Sequence, residues 1–303
     1  MKIVFLGTSG GLPTPRRALP AVAIIREGEM ILLDCGEGAQ TRIMKKGLGF
    51  GRLSKIVITH IHGDHLSGLM GLMMTLNLLG HETPIDLYGP PGMPGFFDAM
   101  AEHLKLRTKF GLNIYPLEAG VFVRENDYHL EAAPVVHRAP CFAIALQEKI
   151  RPGRFNLERA RELGIPEGPL FGKLQHGETI TLEDGRVVPP TEVLGPARSG
   201  RRIVYCTDTA YNPAIIPFCR RADLLIHESM FGNDHEDEAR ERTHSTAAQA
   251  AAIARDAEVQ RLILTHISAR YLDTDPLKEE ARKIFPNTQV AWDLMDVDVP
   301  YRD

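Results

Sequence analysis

The sequence predicts an α/β protein built from two packed, mixed sheets covered by helices. Short β-branched runs recur along the whole chain, helical patterns are fewer, and the first half reads mainly as hairpins while the second mixes strands with helices. A strictly alternating parallel fold would not give that asymmetry. In order, the strand-like runs are Lys2–Leu6, Ala21–Arg26, Met30–Leu33, Lys55–Thr59, Ile85–Tyr88, Leu112–Pro116, Pro134–Val136, Phe142–Leu146, Arg202–Tyr205, Leu224–Ile226 and Leu262–Leu264. Most are bounded by Gly, Pro or Asp, as strands are. Leu66–Leu79 is apolar almost all round and reads as a buried helix, whose Met70, Met73 and Met74 are core or dimer packing. Pro94–Leu106, the alanine-rich Thr246–Asp256 and Asp275–Ile284, with Pro276 at a helix-start position, are the other main helices.

The chain has 303 residues, of which 44% are hydrophobic and 24% charged, which excludes a largely disordered protein. Its 35 Lys and Arg against 39 Asp and Glu leave a net charge of -4. A nucleic-acid partner must therefore be held by a local basic surface. The longest apolar stretch, Gly68–Gly80, is too short for a bilayer, and Met1–Leu6 runs straight into Gly7-Thr8-Ser9-Gly10-Gly11 without a signal sequence. The four cysteines are scattered, as expected of reduced thiols. The expectation is a single domain over residues 1–303, cytoplasmic and without a membrane partner.

Within that domain, Lys149–His176 stands out. Gly and Pro surround one short helical stretch, Asn156–Leu163, and six Lys or Arg face three Glu. Its apolar residues look too sparse for a core, so the segment reads either as a surface excursion or as a projecting basic arm.

Histidine, with 12 copies, is the compositional outlier. The strand Lys55–Thr59 ends in His60-Ile61-His62-Gly63-Asp64-His65. His60 and His62 are two apart, so an extended chain points both imidazoles to one side. Gly63 permits a turn that brings Asp64 and His65 to the start of a helix. Three imidazoles and a carboxylate this close make a divalent-metal environment, and burying them without a metal would be costly. Further strand ends are followed at once by His137, Asp208, His227-Glu228 and His266. The ligand inventory is then His60, His62, Asp64, His65, His137, Asp208 and His266, too many for one zinc and suited to two. Asp34, between a strand and Gly36, reads as a turn residue or as a support for a ligand histidine. The Gly7–Gly11 loop reads as a tight turn or as a set of N–H donors to a phosphate.

The HxHxDH run followed by spaced His, Asp and His resembles the metallo-β-lactamase superfamily, an αββα sandwich with metals at one edge. Narrower features resemble the ribonuclease Z family of tRNA 3′-processing endonucleases: Phe5-Leu6-Gly7-Thr8-Ser9-Gly10-Gly11, Leu33-Asp34-Cys35-Gly36-Glu37-Gly38, and His227-Glu228 followed by His244-Ser245-Thr246. Gly168-Pro169-Leu170-Phe171-Gly172-Lys173 is similar to that family's flexible exosite arm. The resemblance implies two Zn2+ per chain, with His60, His62, His137 and Asp208 around one and Asp64, His65, Asp208 and His266 around the other. It also implies Asp64 as proton acceptor, a Glu228–His244 pair as proton donor or phosphate binder, precursor tRNA as partner, and a homodimer. Two metals about 4 Å apart suit phosphodiester cleavage, because they neutralise and clamp the phosphate for in-line attack. The expected products are a 3′-hydroxyl on the tRNA and a 5′-phosphate on the trailer. The alternative is a phosphodiesterase of the same fold acting on a small phosphodiester.

The sequence departs from the family's Pro-x-Lys-x-Arg-Asn stretch, reading Pro13-Thr14-Pro15-Arg16-Arg17-Ala18. Pro15 removes an ammonium and a backbone donor, and Ala18 removes an amide side chain. The expectation is weaker exclusion of CCA-containing precursors, with Arg16 and Arg17 left to attract phosphate.

Overall fold

The computed structural model describes residues 1–302. Two seven-stranded mixed sheets face each other. The first runs Asp296–Asp298, Lys2–Gly7, Ala21–Arg26, Glu29–Leu33, Leu53–Val57, Ile85–Gly89, Leu112–Pro116. The second runs Thr288–Val290, Leu262–Thr265, Leu224–Glu228, Arg202–Cys206, Phe142–Glu148, Tyr128–Pro134, Gly120–Arg124. In each sheet four neighbouring strands are parallel and the remaining pairings antiparallel.

Strand alternation builds the layers. Ile3, Phe5, Ile31 and Leu33 point between the sheets, where they meet Ile144, Leu146, Tyr205 and Ile226. Their neighbours Val4, Leu6, Met30 and Leu32 point outward under the helices Ala39–Lys46, Leu69–Leu78 and Met93–His103. On the other side, Val204, Leu225 and Leu264 pack beneath Ala247–Asp256 and Asp275–Arg282. The order is helix, sheet, sheet, helix, as expected.

Several elements differ in extent from the sequence reading. The expected helix Leu66–Leu79 is a short turn, Gly63–Leu66, followed by Leu69–Leu78. The break lies where Gly68 N donates to Cys35 O at 2.9 Å, so close that a Cβ on Gly68 would stand 2.1 Å from Gly36 O. Thr246 caps rather than joins its helix, in a reciprocal capping box with Gln249. The strand expected at Pro134–Val136 is Tyr128–Pro134, so His137 follows a short loop instead of a strand end. Met70 and Met73 are core residues. All four cysteines are buried and unpaired. No helix among the described residues is long and apolar enough to cross a membrane.

Between Glu148 and Arg201 the chain leaves the sandwich. It forms the helices Leu157–Glu162 and Pro169–Gln175 and a small hairpin, Ile180–Thr181 with Val187–Val188. The expectation of too few apolar residues for a core fails here. Ala160, Ile165 and Leu174 pack with Ile180, Leu182, Val188 and Val193, so the excursion continues past His176 and carries its own small apolar cluster.

Candidate metal centre

The sheets deliver their functional groups to one edge through strand register. Cys206 pairs with His227 and His227 with Leu264, so Asp208 and His266, each two residues further on, emerge at one level. Leu33 pairs with Val57 in the facing sheet, which places Asp34 beside the run from Ile58 to His60. Asp34, Asp208 and His266 have φ of 56°, 37° and 55°. Left-handed backbone is costly for such residues, and its concentration here marks a site whose surroundings enforce it.

All seven expected ligands meet. His62 Nδ1 lies 3.1 Å from both His60 Nε2 and His137 Nε2. Asp208 Oδ2 stands 3.5 Å from His60 Nε2 and 3.6 Å from His137 Nε2. In the second group, His65 Nε2 and His266 Nε2 are 3.3 Å apart. Asp208 Oδ1 lies 3.2 and 3.0 Å from them, and Asp64 Oδ2 lies 3.5 Å from each. The two oxygens of one carboxylate thus face different clusters. A tetrahedral ion with ligand bonds of about 2.0–2.1 Å holds its ligand atoms roughly 3.3–3.4 Å apart, close to these separations. The donor set of imidazoles and carboxylates fits a divalent metal of the zinc type in both positions.

Charge follows the same geometry. Burial, followed by the neighbouring His65, pushes His60 down to about 2, leaving its lone pair available to a cation. Burial opposes ionisation of Asp208, but His266 and His65 outweigh it and hold the carboxyl well below the usual range. Burial would likewise lower His65, yet Asp208 and Asp34 raise it well above the ordinary imidazole value.

A second layer orients the ligands. Asp34 is completely buried. Its Oδ2 contacts His65 Nδ1 at 2.8 Å and accepts from Tyr205 OH at 2.9 Å, while its Oδ1 accepts from Thr59 N at 2.8 Å. Thr59 Oγ1 also meets His60 Nδ1 at 3.1 Å, and the Thr243 carbonyl accepts from His137 Nδ1 at 3.1 Å. Of Asp34's two sequence readings, the structure supports the support for a ligand histidine. Thr59, Tyr205 and Thr243 were not singled out from the sequence.

Glu228 and His244 form a pair beside the clusters. Glu228 Oε1 takes His244 Nδ1 at 2.8 Å and Thr209 N at 2.9 Å, and Oε2 takes Met230 N at 3.0 Å. Burial alone would lower His244, but the Glu228 charge and hydrogen bond raise it to about 9. His244 lies on a cleft of about 670 Å³ that also reaches His62, Asp64, Asp208 and His266. His227 does not join it; its Nδ1 is bound to Glu228 O at 2.8 Å.

One reading of the first loops is corrected. The Gly7–Gly11 loop is not a set of free donors, because Thr8 N and Ser9 N bond Ala18 O, and Gly11 N bonds Asp64 Oδ2 at 2.9 Å. One nitrogen of the half-buried Arg17 is engaged, its Nη1 donating to Thr8 Oγ1 and Ala291 O, both at 2.7 Å, whereas Arg16 is exposed.

A ribonuclease Z of Myxococcus xanthus (strain DK1622) is 44% identical over 307 residues, covering 100% of this chain and 99% of that one. One of Prochlorococcus marinus (strain NATL2A) is 42% identical over 311 residues, covering 99% of each. This chain belongs to the ribonuclease Z family. Among solved structures, the short form of human tRNase Z superposes with a TM-score of 0.74 at 28% identity, covering 99% of this chain and 100% of that one. The metallo-β-lactamase fold protein YhfI of Bacillus subtilis, at 20% identity and a TM-score of 0.68 over 98% of each chain, supports the fold. A model of the beta-lactamase superfamily domain matches residues 176–267, and one of the anti-Pycsar protein Apyc1 matches residues 1–95. The fold of this family and the grouped His and Asp side chains support a divalent metal at this edge of the sheets.

Proposed function

We propose that this protein is a zinc-dependent endoribonuclease that removes the 3′ trailer from precursor tRNA, leaving a 3′-hydroxyl on the tRNA and a 5′-phosphate on the trailer. The observation that carries the reading is the Asp208 carboxylate, with one oxygen directed at each histidine cluster, in a chain of the ribonuclease Z family. His60, His62, His137 and Asp208 would hold one zinc; Asp64, His65, His266 and Asp208 would hold the second. Such a pair supplies charge neutralisation at the scissile phosphate and activates the attacking water.

The chain's own groups divide the remaining work. Asp64 is fixed by the Gly11 N–H and faces the cleft, where it accepts the proton released in attack. His244, kept protonated by Glu228, donates to the leaving oxygen or holds a phosphate oxygen. The appended unit between Glu148 and Arg201 grips tRNA away from the metals; the support is its first part, Lys149–His176, where six Lys or Arg stand against three Glu. A small phosphodiester needs no such arm, which argues against the alternative substrate class. The family resemblance supports a homodimer, and the buried, unpaired cysteines suit a reducing cytoplasm.

The test is to replace residues 154–194 by a short Gly/Ser linker. KM for precursor tRNA should rise, while a chromogenic phosphodiester is still hydrolysed. Equal loss of both activities would contradict an arm that serves tRNA binding.

A further inference from the structure

The arm leaves the sandwich through a two-stranded neck. Arg151 N donates to Arg198 O at 2.8 Å and Arg198 N to Arg151 O at 2.9 Å, and further out Asn156 N donates to Val193 O at 2.7 Å. The two strands pass so closely that a Cβ on Gly153 would stand 1.9 Å from Gly195 O. An isolated two-stranded ribbon twists and bends readily, so such a neck fixes a direction only where its root is anchored.

The root holds an unusual stack. The guanidinium carbon of Arg151 lies 3.5 Å from the centre of the Tyr301 ring, and that of Arg201 lies 3.7 Å from the same centre. Two guanidinium groups that close to one ring must occupy its opposite faces. Arg201 is buried and locked to the sandwich: its Nε and Nη2 donate to Glu148 at 2.8 and 2.6 Å, and its Nη1 to Val299 O at 3.2 Å. Tyr301 is held by the chain on either side of it. Val299 N donates to Met1 O at 2.9 Å, and Arg302 pairs with Asp223 and donates to Arg221 O at 2.8 Å. Arg151 belongs to the neck. Among the described residues its Nε is buried without a hydrogen-bond partner, and the ring face and a contact from Nη2 to Arg302 O at 3.4 Å hold the guanidinium.

We infer that Tyr301 is a positioning residue, which fixes the direction of the arm by bridging the neck's Arg151 to the anchored Arg201 and so sets the affinity for precursor tRNA. The inference rests on the arm's proposed role in gripping tRNA. It needs the π-faces of the ring and not its hydroxyl, since cations are attracted to the ring quadrupole.

The experiment compares Tyr301→Phe with Tyr301→Leu in the full, metal-loaded chain. Arm direction is read as a distance distribution between spin labels at Glu183→Cys on the arm and Glu118→Cys on the sandwich, where the buried native cysteines should leave the two new thiols to react. Tyr301→Leu should broaden the distribution and raise KM for precursor tRNA by up to about 5–30-fold, the worth of two such cation–π contacts, with kcat unchanged. Hydrolysis of bis(p-nitrophenyl) phosphate should also be unchanged, and Tyr301→Phe should match the parent in every measure. A sharp distribution and parental KM in Tyr301→Leu would overturn the role of Tyr301 alone. A broadened distribution with parental KM would overturn the arm's role in tRNA binding, and this inference with it. Parallel loss of both activities would make Tyr301 a fold residue and overturn its positioning role.

Discussion

Asp34 Oδ2 lies 2.8 Å from His65 Nδ1, and both residues are completely buried. The contact fixes the ring so that Nε2 faces Asp208 and His266. The Tyr205 hydroxyl reaches the same carboxylate oxygen from the facing sheet, so the orientation of one ligand depends on the packing of the whole sandwich. Asp34→Asn should weaken metal binding about 10–100-fold, and Tyr205→Phe should weaken it less. Competition with a calibrated chelator measures both; unchanged affinity in Asp34→Asn would separate this layer from the metal site.

Asp208 is the residue whose loss should be felt at both positions. Asp208→Ala should lower the metal content at both sites, whereas His62→Ala should chiefly affect the cluster with His60 and His137. Metal analysis after gel filtration gives the stoichiometry. Full retention of one equivalent in Asp208→Ala would show that its two oxygens do not serve two ions.

Glu228 and His244 should be separable by pH. In chelated protein His244 should titrate near 9, and Glu228→Gln should lower it, because the largest influence opposing burial is removed while only Asp208 and Asp64 still raise it. A pKa raised on folding stabilises fully below the unfolded value of about 6.5 and loses that contribution as pH rises through about 9. The stability gap between parent and Glu228→Gln should therefore narrow across that window. In loaded enzyme, His244→Ala should keep its zinc and lose roughly 10²–10⁴-fold in turnover. Normal turnover would remove His244 from proton transfer.

Acid should act elsewhere, at the base of the sandwich. Burial works to raise the Glu148 carboxyl, but hydrogen bonds from Arg201 and the charges of Arg201 and Arg26 hold it below the ordinary value. A lowered carboxyl pKa stabilises above the unfolded value of about 4.3, and the contribution is lost as pH falls through the folded one. Glu148→Gln leaves Arg201 buried without its carboxylate and should cost about 3–5 kcal/mol at pH 7, with the difference shrinking below about pH 4. Urea unfolding across pH 3–7 reads this directly.

The candidate ligands that the structure brings together could be picked out in the sequence because most lie at or just beyond short β-branched runs, and His60 to His65 are nearly contiguous. What supports them could not. Thr59 lies inside a readable strand end, but nothing marks it as a partner of Asp34, and Tyr205 comes from the other sheet, more than a hundred residues away. The helix Ala39–Lys46 escaped because it buries only Ala39 and Ile43, too few positions to make a periodic stripe. The arm was cut short at His176 because its core takes Ile180, Leu182, Val188 and Val193 from strands of two residues and loops, where no alternation accumulates.

The most direct measurement maps both ends produced when the purified protein meets a precursor tRNA, before and after chelation and again after zinc is restored. One cut is expected at the trailer junction, giving a 3′-hydroxyl and a 5′-phosphate, lost with chelator and recovered as zinc approaches two equivalents per chain. Cleavage that survives complete metal removal, or hydrolysis of a small phosphodiester with the precursor left intact, would contradict it.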